Sequence, residues 1–207
     1  MLGIVVAALV FAQGQAQAVQ ATGAVEVRPS TDTAQQRVAL RDMSMCLARS
    51  RPRWAVATLS HPYLSREQAS SASQALSGSD LCVRGPEAEV VFRTSSMIGG
   101  LADHYIVANA GGADINSLAR ALATIKPLNP SEDFALCIAA RDPVSARALA
   151  LSQPGSTAET AAGAKLANVI RPCIGSGEKP VVEMQSLRAL VSVALYRGMT
   201  SLSQASR

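Results

Sequence analysis

The sequence predicts an all-α protein made of two tandem helical repeats of about 65 residues, each with one intra-repeat disulfide. Three observations lead there. Four cysteines stand at Cys46, Cys82, Cys137 and Cys173, so that both pairs are spaced by 36 and the pairs are offset by 91. Sliding the chain by that same 91 positions aligns 13 identical residues between 42–105 and 133–196. Apolar residues recur at helical spacing between proline and serine punctuation marks that suit helix starts.

The alignment pairs more than cysteine. Asp42 meets Asp133, Pro52 meets Pro143, and Ala55 and Ala57 meet Ala146 and Ala148. Ser65 meets Ser156, Val90-Val91 meets Val181-Val182, and Tyr105 meets Tyr196. Copies of one unit explain both the spacing and the punctuation.

Composition bounds the rest. The 207 residues are 48% hydrophobic and only 16% charged, which excludes a disordered chain. The formal charge of +4 is mild and spread out, so nucleic acid is not an expected partner. Residues 1–12 (MLGIVVAALVFA) are apolar but short of the roughly 18 residues that a membrane span needs. They fit the hydrophobic region of a signal peptide, and Ala16-Gln17-Ala18 supplies the small-x-small cleavage pattern. No Lys or Arg precedes the apolar run. The expected organisation is a signal peptide at 1–18, an exposed lead-in at 19–32 and a first repeat at 33–106. A linker at 107–114 and a second repeat with its tail at 115–207 follow. No transmembrane span is expected after cleavage, and the compartment is periplasmic or secreted.

Within a repeat, the elements follow from local chemistry. The lead-in ends at a cap, Ser30 or Thr31. Phe134, Cys137 and Ile138 give a helix over 132–141, and Asp142-Pro143 restarts the chain as a second helix running to about Leu151. Pro52 marks the same restart in the first copy. Ser156-Thr157-Ala158-Glu159 and Ser65-Arg66-Glu67-Gln68 are capping-box patterns that open a third, alanine-rich helix ending near the second cysteine. The segments 89–92 and 180–183 are extended, and either pair or serve as linkers. The closing helix of the second copy carries Leu187, Leu190, Val191, Ala194 and Leu195, with Gly198 as its terminator. Ile98, Leu101, Ala102, Tyr105 and Ile106 make the matching stripe, although Gly99, Gly100 and His104 interrupt it. Residues 115–125 form a further short helix, whose partner lies near 33–40.

Four cysteines permit three connectivities. Only Cys46–Cys82 with Cys137–Cys173 gives each unit its own staple, as suits an oxidising compartment. A zinc site would want close Cys-x-x-Cys pairs, which are absent. This pattern is Asp-x-x-x-Cys, then Pro-x-x-Ala-x-Ala, Ser-x-x-Glu, a second cysteine and Leu187-Arg188…Ala194-Leu195-Tyr196-Arg197. It resembles a family of uncharacterised exported bacterial proteins with a tandem Cys…Cys helical repeat. The resemblance spans about residues 42–106 and 133–197, implies the fold and the compartment, and adds no catalytic residue.

Chemistry is sparse. His61 and His104 are the two histidines; no Gly-x-Ser-x-Gly elbow exists, and neither histidine is repeated, since Ser152 and Leu195 stand at the matching positions. Asp103 and His104 are helix neighbours, which do not face each other. Glu159 is accounted for by capping, Glu67 lies one turn into a helix, and Glu87 and Glu178 read as solvated loop acids. The one charge cluster, Arg49, Arg51 and Arg53 beside Trp54, is a candidate binding surface. Its plainer reading is a solvated loop with Trp54 filling the core of the first copy. No cofactor or metal is expected. The reading is an exported helical binding or structural module without catalysis, whose partner is a protein or an envelope component. The alternative is a small cell-envelope hydrolase with a site between the repeats, using His104, Asp103 or a loop glutamate.

Overall fold

The computed structural model describes residues 25–76, 82, 93–109, 114–174 and 181–205. The expected signal peptide at 1–18 and the loop acids Glu87 and Glu178 lie outside the described residues. Among the described residues the chain is all-α apart from two three-residue strands and one 3-10 turn. The order is β1 (Glu26–Arg28), α1 (Ala34–Ser50), α2 (Pro52–Ser60), α3 (Arg66–Leu76), α4 (Thr94–Ala108) and α5 (Ile115–Thr124). Then follow α6 (Pro130–Arg141), α7 (Pro143–Leu151), α8 (Thr157–Ile170), β2 (Val181–Glu183) and α9 (Met184–Ala205).

The expected punctuation governs the helix starts. Pro52 and Pro143 each occupy the first turn of a new helix, and the Asp142 side chain accepts from the Ser145 amide at 2.9 Å. Ser65 and Ser156 accept from the amides of Gln68 and Glu159, both at 3.2 Å. The side chains of Gln68 and Glu159 reach back past the cap, to the amides of Leu64 and Gly155, both at 2.7 Å. Leu64 and Gly155 both have positive φ, at 58° and 78°. That backbone turns the chain sharply into α3 and α8, and glycine adopts it without the steric cost that leucine meets.

Both disulfides join the expected cysteines. Cys46–Cys82 ties α1 to the chain beyond α3, and Cys137–Cys173 ties α6 to the 3-10 turn Arg171–Cys173 after α8. Two apolar clusters form around them. One is centred on Leu47, Leu59, Met97, Ile98 and Leu101, and the other on Ile138, Leu149, Leu166, Leu187 and Val191. Helix α9 serves both, because Val193 enters the first cluster while Leu187, Val191 and Leu195 enter the second.

Several expectations are corrected. The lead-in is not uniformly exposed: Val25 is buried in the second cluster, and Glu26–Arg28 pairs in parallel with Val181–Glu183. The cap of α1 is Thr33 rather than Ser30 or Thr31, in a full capping box with Gln36. The Ser30 hydroxyl instead lies 2.9 Å from both Glu183 Oε1 and Gln185 Oε1, its one proton shared between them, fastening the lead-in to the start of α9. Residues 33–40 are not a separate helix matching α5, since they form the first turns of the continuous α1.

Gly99 and Gly100 do not break α4. Both are buried in an unbroken helix, and each permits a close approach. A Cβ on Gly99 would lie 2.7 Å from the Ala189 Cα of α9, and one on Gly100 would lie 2.6 Å from the Ser44 Cβ of α1. Packing of three helices outweighs the roughly 1 kcal/mol helix penalty of each glycine. Gly198 likewise continues α9 rather than ending it. A side chain there would meet the Leu118 Cδ1 at 2.8 Å.

Candidate functional site

The predicted basic cluster is dispersed by the α1–α2 corner. Arg49 lies in the last turn of α1 and is exposed, and Arg53 is exposed on α2. Arg51 is half-buried between the helices, and its Nη1 donates to the Ala75 carbonyl at 3.4 Å. Trp54 packs against the first apolar cluster and donates its indole N–H to the Ser71 carbonyl at 3.1 Å. The tryptophan thus fills the core edge, with Arg49 and Arg53, both exposed, preceding it in sequence.

Beside this corner, His104 meets Tyr105 edge-on at 5.1 Å, and Tyr105 meets Tyr196 at 5.3 Å between ring centroids. The Tyr105 hydroxyl donates to the Pro52 carbonyl at 3.3 Å. Burial, and then the positive Arg49, hold the His104 imidazolium below its ordinary range. Asp103 turns the other way into the core, so the adjacent Asp-His pair supplies no acid–base dyad.

The ionic centre of the molecule lies where α1, α4, α7, α8 and α9 converge. Asp103, 1% exposed, receives Arg41 Nε at 2.7 Å, Arg188 Nη2 at 3.1 Å and the Ser192 hydroxyl at 2.6 Å. Glu159, equally buried, takes Arg37 and, at 3.3 Å, Arg188 Nη1. Arg188 also donates to the carbonyls of Ala150 and Ser152, both at 2.8 Å. Arg41 reaches the Ala150 carbonyl as well, at 3.2 Å. Capping therefore accounts for only half of Glu159. One oxygen holds the Gly155 turn, and the other anchors two arginines from distant helices.

A second ionic cluster pins the α2–α3 loop to the start of α6. Glu132 accepts the amides of Tyr63 at 2.7 Å and Leu128 at 2.8 Å, and pairs with Arg197 at 2.9 Å. Arg197 also donates to the His61 carbonyl at 3.1 Å, and Asn129 donates to the Tyr63 carbonyl at 2.8 Å. His61 takes part through its backbone. Burial pushes the nearby Tyr63 phenol well above its ordinary range.

Sequence reasoning missed Arg37, Arg41, Glu132, Arg188 and Arg197 as a set. One local signal was available. Arg188 interrupts the apolar run Leu187-Arg188-Ala189-Leu190 on a helix buried nearly all round, and a charge in such a place needs a partner. The partners themselves lie 29, 85 and 122 residues apart along the chain in the pairs Arg188–Glu159, Arg188–Asp103 and Arg37–Glu159.

Chemically, these acids are committed. Asp103, Glu159 and Glu132 each accept three donors and so hold backbone and arginines in place. Among the described residues, no group of three His, Cys, Asp or Glu side chains is placed to hold a metal ion. No described helix is long and apolar enough to cross a membrane. A crevice at the ionic centre is small, about 20 Å³, and is lined by Arg37, Arg41, Asp103, Gln185 and Arg188 together with apolar residues such as Leu40 and Ala189. Comparison with family models, with curated proteins and with solved structures finds no match to this chain.

Proposed function

We propose that the chain is an exported helical binding or structural module without catalytic activity, descended from two copies of one disulfide-stapled unit. The observation that carries this reading is the commitment of its buried acids. Asp103, Glu159 and Glu132 each join elements from both halves of the chain, through Arg188, Arg37, Arg197 and backbone amides. They serve as clamps between the halves, which is a structural role.

Common descent is supported by matched details 91 positions apart. Helices α1 to α4 and α6 to α9 run in the same order, each set with its own disulfide spaced by 36. The turns at Leu64 and Gly155 share a positive φ, and the caps that follow share one hydrogen-bond pattern. Two disulfides support an oxidising compartment, periplasmic or secreted. The resemblance to exported bacterial proteins with this repeat points the same way.

The surface beside Trp54 is the proposed contact for a protein or envelope component. It offers the exposed Arg49 and Arg53 together with the tilted ring pair of Tyr105 and Tyr196, and arginine with aromatic rings is a composition that interfaces favour. The hydrolase reading would use His104, Asp103 or a loop glutamate; of these, Asp103 is held in the arginine network, and Glu87 and Glu178 lie outside the described residues.

The test uses the oxidised full chain as bait in exported material. The expected result is a partner retained by the wild type and by His104→Ala, and lost by Arg49→Ala with Arg53→Ala, whose side chains are exposed. Turnover of an envelope substrate that His104→Ala abolishes would overturn the module reading.

A further inference from the structure

We propose that the corner where α1, α2 and α4 meet docks on an anionic lipid surface. This rests on the module reading and gives its envelope partner a chemistry. Arg49 and Arg53 are exposed there, and among the described residues neither side chain has a hydrogen bond or an ion pair. Arg49 stands close enough to His104 of α4 for its charge to oppose protonation of the imidazole. His104 meets Tyr105 edge-on, and the Tyr105 hydroxyl donates to the Pro52 carbonyl at the start of α2. These contacts join the three helices at one corner.

The second copy builds the same corner without cations. Ala140, Asp142 and Val144 stand 91 positions beyond Arg49, Arg51 and Arg53. Asp142 caps α7 by accepting the Ser145 amide, whereas Arg51 at the start of α2 makes no side-chain cap. The first copy therefore forgoes a stabilising cap and carries positive charge where the fold requires none.

Charge and apolar surface together select the partner. Helix α2 contains no acid, and Asp103, the one acid of α4, is turned into the core. Asp42, the one acid of α1, lies two turns before Arg49. The corner is thus positive. Val56, one turn beyond Arg53, and Val107, one turn beyond His104, are 45% and 42% exposed. Headgroup phosphates complement the guanidiniums, and the acyl boundary takes up the valines. A purely acidic chain would complement the arginines and gain nothing from the valines.

The experiment is flotation of the oxidised full chain with vesicles of phosphatidylcholine, alone or with phosphatidylglycerol, at low and high salt. Binding is expected with phosphatidylglycerol only, and high salt is expected to weaken it. Arg49→Ala and Arg53→Ala are each expected to weaken it about fivefold. Val56→Ser with Val107→Ser is expected to weaken it about tenfold. All four side chains are exposed, so these variants keep the fold. Lys165→Ala removes an exposed cation of α8 and is expected to change binding little. No binding to the anionic vesicles, or equal binding to both kinds, would overturn the proposal. So would a loss with Lys165→Ala as large as with Arg49→Ala, or no loss with the valine variant. Binding to polyglutamate without binding to vesicles would overturn it in favour of an acidic protein. A protein captured through Arg49 and Arg53 from exported material, with vesicles left unbound, would sink the lipid surface and leave the module. Turnover that His104→Ala abolishes would sink the module reading and leave the vesicle result standing.

Discussion

Asp103 on α4 and Arg188 on α9 meet at 3.1 Å, both more than nine-tenths buried, at the closest packing of the two halves. Neither residue could stay charged there alone, because an isolated buried ion costs far more than a folded domain can offset. Each also has a partner in its own half, Arg41 for Asp103 and Glu159 for Arg188, and the pair joins these two ion pairs across the halves.

Replacing Asp103 by Ala leaves Arg41 and Arg188 facing each other without their shared carboxylate. The expected loss is about 3–5 kcal/mol, the range for breaking a buried pair by removing one partner. Asp103→Asn keeps the shape and is expected to lose less. Urea denaturation midpoints measure both, and a loss below about 1 kcal/mol for the alanine variant would contradict the clamp.

At Gly100 the packing argument has a quantitative form. Gly100→Ala gains about 1 kcal/mol of helix propensity but places its Cβ 2.6 Å from Ser44 Cβ. Overpacking of that kind costs about 1–3 kcal/mol, so the net effect is destabilising. Ser44→Gly removes the opposing carbon, and a double-mutant cycle is expected to show favourable coupling between the two changes. Simple additivity would mean that α1 and α4 are not in contact there.

His104 predicts a pH dependence. Burial first and Arg49 second hold its folded pKa below the ordinary 6.5. The unfolded chain therefore takes up the proton more readily. Stability from this group is complete above pH 6.5 and is lost as pH falls through the lower folded value. Unfolding midpoints measured from neutral to mildly acidic pH are expected to fall more steeply for the wild type than for His104→Gln. Parallel curves would contradict the assignment.

What was legible in the sequence was local. Asp142-Pro143, Ser156 with Glu159, and the stripe on α9 announce their helices because the responsible atoms lie within a few residues of one another. The cysteine pairing was legible through spacing, as a long-range constraint written twice. Asp103 and Glu132 were illegible, since their partners Arg188 and Arg197 are assigned by docking and not by neighbourhood. Gly99 and Gly100 misled for a related reason: glycine is a poor helix former alone, and its benefit here belongs to Ala189 and Ser44 on other helices. The lead-in strand was missed because three residues pairing with three others across the chain carry too little pattern to detect.

The most direct test of the account is a peptide map, without reductant, of protein recovered from the exported fraction of its own cells. The account predicts two crosslinks, Cys46–Cys82 and Cys137–Cys173, and no free thiol among the four cysteines. A bridge between the halves, or free thiols in native material, would contradict two separately stapled units and the oxidising compartment together.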